Sequence, residues 1–452
     1  MGLRTVFRSC VTSLCSLALL RVSPSPSYAV SGLRDTESVR MMRHHPDPII
    51  EAAGLQPSSV RIYLLNDPSI NAFVTAGSDM YIHTGLLLEA DRPLQIIGVI
   101  AHETGHIAGG HVARIRDAFA AARTPLLVTM GLGLAAMAAG APDAGLALLS
   151  SGQHIAERTI LAHSRVQESS ADQAAVTYLE KLGTSGRGLL EMTEKFRHME
   201  VLSAANQNPY VRTHPLSSDR IASLQQRVAQ SPYADKTETP EQMFAFEMMQ
   251  AKLYAFLVRP ELTYYRYKQT DTSLPSLYAR AIAYYRTPDL PRALDAIDQL
   301  IAAMPDNAYF YELKGQVLFE NGRAEEAIPW HKKSVELMPD APLFRINTAQ
   351  ALRATEDSAR SKEALDHLEM ALRVESDNAF AWYLAATAYA QDGQIGQADL
   401  ATAERYFNNR NMQPAIEFAK RARVNLTRGT PLWQRALDII EIAATQQEDR
   451  RR

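Results

Sequence analysis

Two histidines and a glutamate, spaced as in a helical metal site, are the residues most able to do chemistry in this sequence. The segment IIGVIAHETGHIAGGHVAR contains His102, Glu103 and His106. Residues four apart lie on one face of an α-helix, so both imidazoles can reach one zinc ion. Glu103 lies beside them, where it can take a proton from a water that zinc acidifies. The pattern predicts one Zn²⁺ per chain and a hydrolytic reaction.

The residues around this motif place it in the interior of the protein. The residues before it are apolar, and they include Ile96, Ile97, Val99 and Ile100. Buried histidines and a buried glutamate need polar partners, and a metal ion supplies them. A surface helix with two histidines by chance is therefore the weaker interpretation.

A catalytic zinc ion needs a third protein ligand and an open fourth position. His111 is a poor candidate because it lies about 180° around the helix from His102. A third histidine in the pattern HExxHxxGxxH would have to stand at position 112, which is Val112. We expect the ligand to be Glu168, on a second predicted helix in the segment HSRVQESSAD.

Two charged residues stand one helical turn from Glu168 on either side. Asp172 is expected to accept the other N–H of a zinc-bound histidine, as carboxylates commonly do around zinc. Arg165 is expected to orient or neutralise the Glu168 carboxylate. The alternative for the acidic pair, taken alone, is a solvated helix face.

The elements around the two motifs must bring them together. Runs rich in β-branched and aromatic residues predict strands over 60–65, 70–75 and 79–83, the last two as a hairpin. Helical periodicity begins at Pro93, continues through Val112 and returns over 150–182. The metal ligands would thus lie on helices that follow a small sheet.

An apolar stretch, residues 124–152, separates the two helical motifs. It carries no charge from Pro125 to Ala141. We expect a pair of buried or loosely packed helices over the active site. The alternative is a lid or a membrane-facing element, with peripheral membrane contact through 124–152. A transmembrane helix is least favoured because the run is short and interrupted by glycines.

The second half of the chain repeats with a period of 34 residues. Pro305-Asp306 recurs at Pro339-Asp340, and small residues occupy matching offsets, with about three additional residues near 357–361. This pattern is typical of tetratricopeptide repeats, whose small residues let paired helices approach closely. Because one unit cannot bury its apolar face alone, about four stacked units are expected.

A polar segment with two prolines, QSPYADKTETPE at 230–241, is the expected boundary between the halves. The predicted fold is an α+β metallopeptidase domain, with a small sheet and a helical core, followed by an all-α tetratricopeptide solenoid. We assign 1–29 to a signal peptide, 30–230 to the peptidase domain and 241–452 to the repeats.

The N-terminus has the composition of a cleaved secretory signal peptide. Arg4 and Arg8 precede an apolar segment over 9–20, and Ser27-Tyr28-Ala29 offers a cleavage site after Ala29. A disordered tail or a membrane anchor is the alternative. The formal net charge is −3 and no basic stripe occurs, so nucleic acid is not an expected partner.

The segments HETGH and SRVQESSAD together resemble the gluzincin family of zinc peptidases that includes the CAAX prenyl protease and HtpX. The resemblance implies that Glu168 is the third zinc ligand. It also implies that Asn71, Ala72 and Phe73 form an edge strand along the cleft. An extended peptide substrate can add its backbone to such a strand.

A later segment, THPLSSDRI, is similar to periplasmic members of this family that are fused to tetratricopeptide repeats. The similarity implies that His214 belongs to the zinc site. It would either stabilise the oxyanion of the tetrahedral intermediate or occupy the open zinc position until substrate displaces it. The implied substrates are unfolded or misassembled outer-membrane proteins, the implied partner is the β-barrel assembly machinery, and the implied location is the periplasm.

Two functions from different classes remain open. The first is an active zinc endopeptidase whose repeats recruit substrate or a partner. The second is a chaperone or scaffold for outer-membrane assembly with latent peptidase activity. The intact Glu103 favours the enzyme, because a pure scaffold does not need it.

Overall fold

The computed structural model describes residues 32–451, except positions 34, 45, 76, 202–209, 211–213 and 356. The predicted signal peptide over 1–29 lies outside the described residues. The elements of the first half are α1 (Thr36–His44), α2 (Pro46–Ala52), a 3-10 turn (Pro57–Ser59), β1 (Arg61–Leu65), β2 (Ala72–Val74), β3 (Asp79–His83), α3 (Thr84–Glu89), α4 (Pro93–Ala108), α5 (His111–Ala138), α6 (Pro142–Lys181), α7 (Arg187–Val201) and α8 (Ser218–Ala229).

The small sheet has three strands in the order β1–β3–β2. Strand β1 pairs in parallel with β3, and β2 pairs antiparallel with β3 as the expected hairpin. Tyr63, Tyr81 and Phe73 stack in a row across one face, with neighbouring ring centroids 5.1 Å apart. Strand β2 is an edge strand among the described residues, and it packs against α4.

Helix α4 is the central element of the first half, and it is buried from Pro93 to His106. Glycines let its neighbours approach closely. A methyl group at Gly105 would lie 2.9 Å from the carbonyl oxygen of Ala171 in α6. The helix ends before Gly110, which has φ +62° and starts α5 in a new direction. Helix α6 therefore lies directly beside the HETGH motif.

The apolar stretch 124–152 forms the far half of an antiparallel helical hairpin made by α5 and α6. The pair of helices is present as expected, but the alternative that the pair is buried is wrong. Leu127 is 47% exposed, Leu134 is 57% exposed and Leu146 is 60% exposed. The reason is that, among the described residues, α5 packs mainly against α6, with a smaller contact to the end of α4.

The second half is all-helical. Its elements are α9 (Pro240–Leu257), α10 (Pro260–Arg266), α11 (Leu274–Arg286), α12 (Leu290–Ala303), α13 (Ala308–Glu320), α14 (Ala324–Leu337), α15 (Pro342–Arg353), α16 (Ser358–Val374), α17 (Ala379–Gln391), α18 (Ile395–Asn408), α19 (Met412–Asn425) and α20 (Pro431–Arg451). Helices α11, α13 and α15 start at intervals of 34 residues, and α17 starts three residues late, after the predicted additional residues. Ala281, Ala327 and Ala349 are buried where paired helices cross. The tetratricopeptide prediction is confirmed.

The two halves share an interface at α9. Phe246 and Met249 of this helix belong to the core of the first half, whereas Met248 belongs to the core of the first repeats. The buried Lys252 Nζ lies 2.5 Å from an Asp35 carboxylate oxygen near the start of the described chain. Because α9 contributes to both cores, the division of the chain at 230–241 stays a prediction.

Candidate metal centre

Four side chains that can bind a metal ion meet in the interior of the first half. His102 and His106 come from α4, Glu168 comes from α6, and His214 precedes α8. All four are buried, and their candidate ligand atoms lie within 4.8 Å of one another. The apolar surface of α4 and the close approach at Gly105 together explain why these polar groups converge in a core.

The distances within this cluster suit a tetrahedral ion. His102 Nε2 lies 3.0 Å from His106 Nε2 and 3.3 Å from Glu168 Oε2. His214 Nδ1 lies 3.3 Å from His102 Nε2 and 3.1 Å from Glu168 Oε2. Ligand atoms around a tetrahedral ion with bonds of about 2.0–2.1 Å are roughly 3.3–3.4 Å apart. The donor set of imidazoles and a carboxylate therefore fits a divalent metal ion.

The Glu103 carboxylate points into the same cluster. The residue is fully buried, and neither of its carboxylate oxygens has a hydrogen-bond partner among the described residues. Its Oε1 lies 3.4 Å from His214 Nε2. Because an unpartnered buried carboxylate is costly, this arrangement points to a water or a ligand that Glu103 meets in the working protein.

Asp172 and Arg220 support the cluster through hydrogen bonds and ion pairs to its members. Asp172 Oδ1 lies 2.8 Å from His102 Nδ1, the ring nitrogen that faces away from the other ligand atoms. Arg220, in the first turn of α8, donates to both Asp172 oxygens at 2.6 and 3.0 Å. Its Nη1 also lies 2.9 Å from Glu168 Oε2. One guanidinium thus fixes two carboxylates and, through Asp172, the His102 ring.

The charges in this network stabilise one another. Burial raises the pKa of Asp172, but Arg220 and His102 outweigh burial and lower that pKa overall. Burial also raises the pKa of Glu168, yet His214 and the hydrogen bonds from His102 and His106 bring it well below its usual value. Burial lowers the pKa of Arg220, and the two carboxylates raise it overall. Both carboxylates are therefore ionised and able to accept.

Arg165 does not take the place expected for it. The residue is exposed on α6, and the cation in contact with Glu168 is Arg220 from α8. The position one turn before Glu168 faces solvent, because α6 turns only one side toward α4. The sequence contained a signal for Arg220, since it lies in the same THPLSSDRI segment as His214, six residues further on.

His111 has a supporting position next to His106. Its Nδ1 lies 2.9 Å from His106 Nδ1, on the side of the His106 ring away from His102. Burial, followed by the neighbouring His106, lowers the pKa of His111 to about 4. A neutral His111 can accept the His106 N–H, which is the orienting bond that metal-binding histidines commonly make.

His214 is held in place by aromatic and backbone contacts. Its ring stacks on Tyr210 with a centroid distance of 4.4 Å, and Tyr210 stacks on Phe196 of α7 at 4.1 Å. Arg220 Nη1 donates to the Pro215 carbonyl at 3.3 Å. These contacts place His214 Nδ1 where a fourth ligand atom would stand.

The segment expected to bind substrate lies at the edge of the sheet. Asn71 and Ala72 are buried, and Phe73 is half-buried against Tyr81. Asn71 Oδ1 has no hydrogen-bond partner in the described part of the chain. Strand β2 packs on α4, the helix that carries the HETGH motif. Substrate binding along β2 stays a prediction.

Known proteins resemble both halves of the chain. Residues 40–228 match Peptidase family M48, and residues 278–342 match the tetratricopeptide repeat. The chain is 25% identical to the beta-barrel assembly-enhancing protease of Yersinia pestis over 353 residues, which cover 76% of this chain and 70% of that protein. It is 24% identical to the protein of the same name from Escherichia coli (strain K12) over 381 residues, 83% of this chain and 76% of that one.

A shorter relative matches the first half alone. The metalloprotease YcaL of Escherichia coli (strain K12) is 30% identical over 179 residues, which cover 38% of this chain and 63% of YcaL. Three observations indicate a metallopeptidase. They are the family matches, the HETGH helix, and the convergence of Glu168 on His102 and His106. The chain is a metallopeptidase that is similar to Peptidase family M48 over residues 40–228 and to the tetratricopeptide repeat over residues 278–342.

Proposed function

We propose that this chain is a periplasmic zinc endopeptidase that degrades misassembled outer-membrane proteins and assists their assembly. The observation that carries the proposal is the convergence of His102, His106 and Glu168 around the Glu103 carboxylate. Similarity to proteins named for β-barrel assembly supports the substrate class. The proposed partner is the β-barrel assembly machinery, and the repeats are the proposed surface for recruiting it or the substrate.

The proposed chemistry assigns one role to each side chain. His102, His106 and Glu168 hold one zinc ion, which when bound supplies Lewis-acid activation of water and of the scissile carbonyl. Glu103 takes the proton from the attacking water and delivers it to the leaving amine. Asp172 orients the His102 ring. Asn71, Ala72 and Phe73 bind an extended peptide along the edge of the sheet.

We further propose that His214 closes the site in the resting protein by taking the fourth ligand position. Its Nδ1 lies 3.1 Å from Glu168 Oε2 and 3.3 Å from His102 Nε2, and these distances support the assignment. The same observation favours the second candidate function, a chaperone or scaffold with latent peptidase activity. The two candidates differ in whether substrate can displace His214.

Replacing His214 with alanine is expected to raise casein cleavage about tenfold, which corresponds to about 1.4 kcal/mol of closure removed. The measurement compares cleavage of casein and of a denatured outer-membrane β-barrel protein, with the metal content of each sample. His198→Ala is a matched control, because His198 is exposed on α7. We expect the parent to cleave the β-barrel protein faster than casein.

Two outcomes would contradict these proposals separately. A loss of cleavage in His214→Ala at unchanged metal content would reject the closing role and favour stabilisation of the oxyanion. Equal cleavage of casein and the β-barrel protein, by the parent and by His214→Ala, would reject the substrate class while leaving the peptidase intact.

Export to the periplasm is proposed from the predicted signal peptide. The expected result is that protein recovered from the periplasm begins at Val30, following cleavage after Ala29. N-terminal sequencing makes this measurement directly. Recovery of the chain only from the cytoplasm, with residues 1–29 retained, would contradict the proposed location.

A further inference from the structure

We propose that the tip of the α5–α6 hairpin, residues 124–156, inserts into one leaflet of an anionic lipid bilayer. Helix α5 is long and apolar enough to cross a membrane by length and composition, and little of it is buried. Length, composition and exposure fit both a lipid bilayer and a protein partner. Packing, hydrogen bonding and charge within the hairpin tip make the distinction.

Glycines lie where the two helices of the hairpin tip meet, some of them against Met137 and Leu149, and most of the large apolar residues of α5 lie outside. A methyl group at Gly133 would lie 2.9 Å from the Gly145 carbonyl oxygen, and one at Gly152 would collide with Thr129. The two helices therefore approach most closely at small residues. A helical pair in water normally buries its large apolar side chains, whereas helices in lipid pack through small ones.

The large apolar residues of α5 are spread widely around the helix. At 100° per residue they cover roughly two-thirds of its circumference. They are Leu126, Leu127, Val128, Met130, Leu132 and Leu134, all exposed. A docked protein needs one apolar face, so this distribution fits a surrounding solvent of lipid chains better than a single partner surface.

Three of the four hydroxyl groups in the hairpin tip, those of Thr129, Ser150 and Ser151, donate to backbone carbonyls. Thr129 Oγ1 donates to the Pro125 carbonyl at 2.8 Å. Ser150 and Ser151 donate to carbonyls of their own helix at 3.0 Å. Polar side chains in lipid must find such partners within the protein, because no water is available there.

Arginines mark the base of the apolar region on both helices. The contact between Thr129 and Gly152 sets the register of the hairpin, and the same register places Arg123 opposite Arg158. Both arginines are exposed. Guanidinium groups complement anionic phosphate headgroups, and arginine stems can cover apolar surface beside them. This charge match is why we assign the tip to an anionic bilayer.

The length of the hairpin tip limits how deeply it inserts. From Arg123 to Ala138 helix α5 rises about 22 Å, against about 30 Å for the hydrocarbon core of a bilayer. The tip therefore enters the bilayer without crossing it. Asp143, exposed in the first turn of α6, opposes deep insertion because a carboxylate is costly in hydrocarbon.

The first test is flotation of the full chain with vesicles of phosphatidylethanolamine and phosphatidylglycerol. The ratio of bound to free protein should fall about tenfold or more in Leu134→Glu, because a carboxylate is strongly disfavoured in hydrocarbon. Val424→Glu is the matched control, since Val424 is 84% exposed on α19. Casein cleavage and the circular dichroism spectrum should be unchanged in Leu134→Glu. Binding that is equal in parent, Leu134→Glu and control overturns the proposal.

A second test uses substitutions that do not add a charge. The tryptophan introduced by Leu134→Trp should be quenched by lipids brominated on their acyl chains, and the one introduced by Ala121→Trp should not. Asp143→Asn should increase vesicle binding, also with neutral phosphatidylcholine. Equal quenching at both positions, or no effect of Asp143→Asn on either lipid, contradicts insertion of the tip.

The competing occupant of the hairpin tip is a second copy of the chain. Light scattering after size exclusion, without lipid, measures this directly. A dimer that disappears in Leu134→Glu, together with vesicle binding that does not, replaces the bilayer with the second copy. A monomer in the parent and the variant, with binding lost only in the variant, supports the bilayer.

Discussion

Replacing Glu103 with glutamine is expected to lower casein cleavage by about 10²- to 10⁴-fold, the usual contribution of a general base. Glutamine keeps the shape of the side chain but cannot take a proton from water. The metal content should be unchanged, because His102, His106 and Glu168 are untouched. Metal analysis and cleavage are measured on the same samples, in the parent and in the His214→Ala background, so that closure of the site does not hide the effect.

The outcomes of this experiment distinguish a wrong assignment from a resting enzyme. Undiminished cleavage by Glu103→Gln in the His214→Ala background would remove Glu103 from the reaction. Loss of metal together with cleavage would mean that the carboxylate supports the ligands instead. Metal without cleavage in both the parent and the His214→Ala protein would favour the scaffold function.

Replacing Arg220 with methionine is expected to destabilise the first half by about 3–5 kcal/mol, as removal of one partner from a buried ion pair usually does. It leaves Asp172 buried without its cation, and it frees Glu168 Oε2 from a contact of 2.9 Å. Without Arg220, Asp172 is held less firmly and therefore orients the His102 ring less well. We therefore expect metal affinity to fall about 10- to 100-fold.

Arg227→Met is the control within the same helix. Arg227 pairs with Glu180 at 2.7 Å, but both side chains are partly exposed. Such a pair contributes about 1 kcal/mol or less. Urea unfolding and competition with a chelator give the two measurements. Equal effects of Arg220→Met and Arg227→Met on stability and metal affinity would show that Arg220 does not hold the site.

The part of the site that lies on one helix can be predicted from the sequence. His102, Glu103 and His106 are placed by helical geometry alone, since their spacing fixes which side chains share a face. Glu168 and Asp172 follow from the same reasoning on a second helix, aided by a family resemblance. The structure brings all five together, and their roles stay predictions for the experiments above.

The cation of the network could not be assigned in this way. Arg165 is near Glu168 in sequence, but it lies on the exposed side of α6, and Arg220 reaches the carboxylates from another helix. The expectation that the apolar stretch 124–152 is buried in the protein is wrong for a related reason. Hydrophobicity predicts that a segment leaves water, but not whether protein or lipid replaces the water. Local pattern does not determine which element packs against which.

Helix α6 runs without a break from Pro142 near the hairpin tip to Lys181, beyond the metal centre. The ten residues from Arg158 to Glu168 correspond to about 15 Å along the helix. With the tip in a bilayer, this continuous helix holds the metal centre at a fixed distance above the lipid headgroups. An extended chain spans that distance with about five residues. For the proposed substrate class, a barrel whose strands end at the membrane surface would then be out of reach, whereas a chain that has failed to insert could be cut.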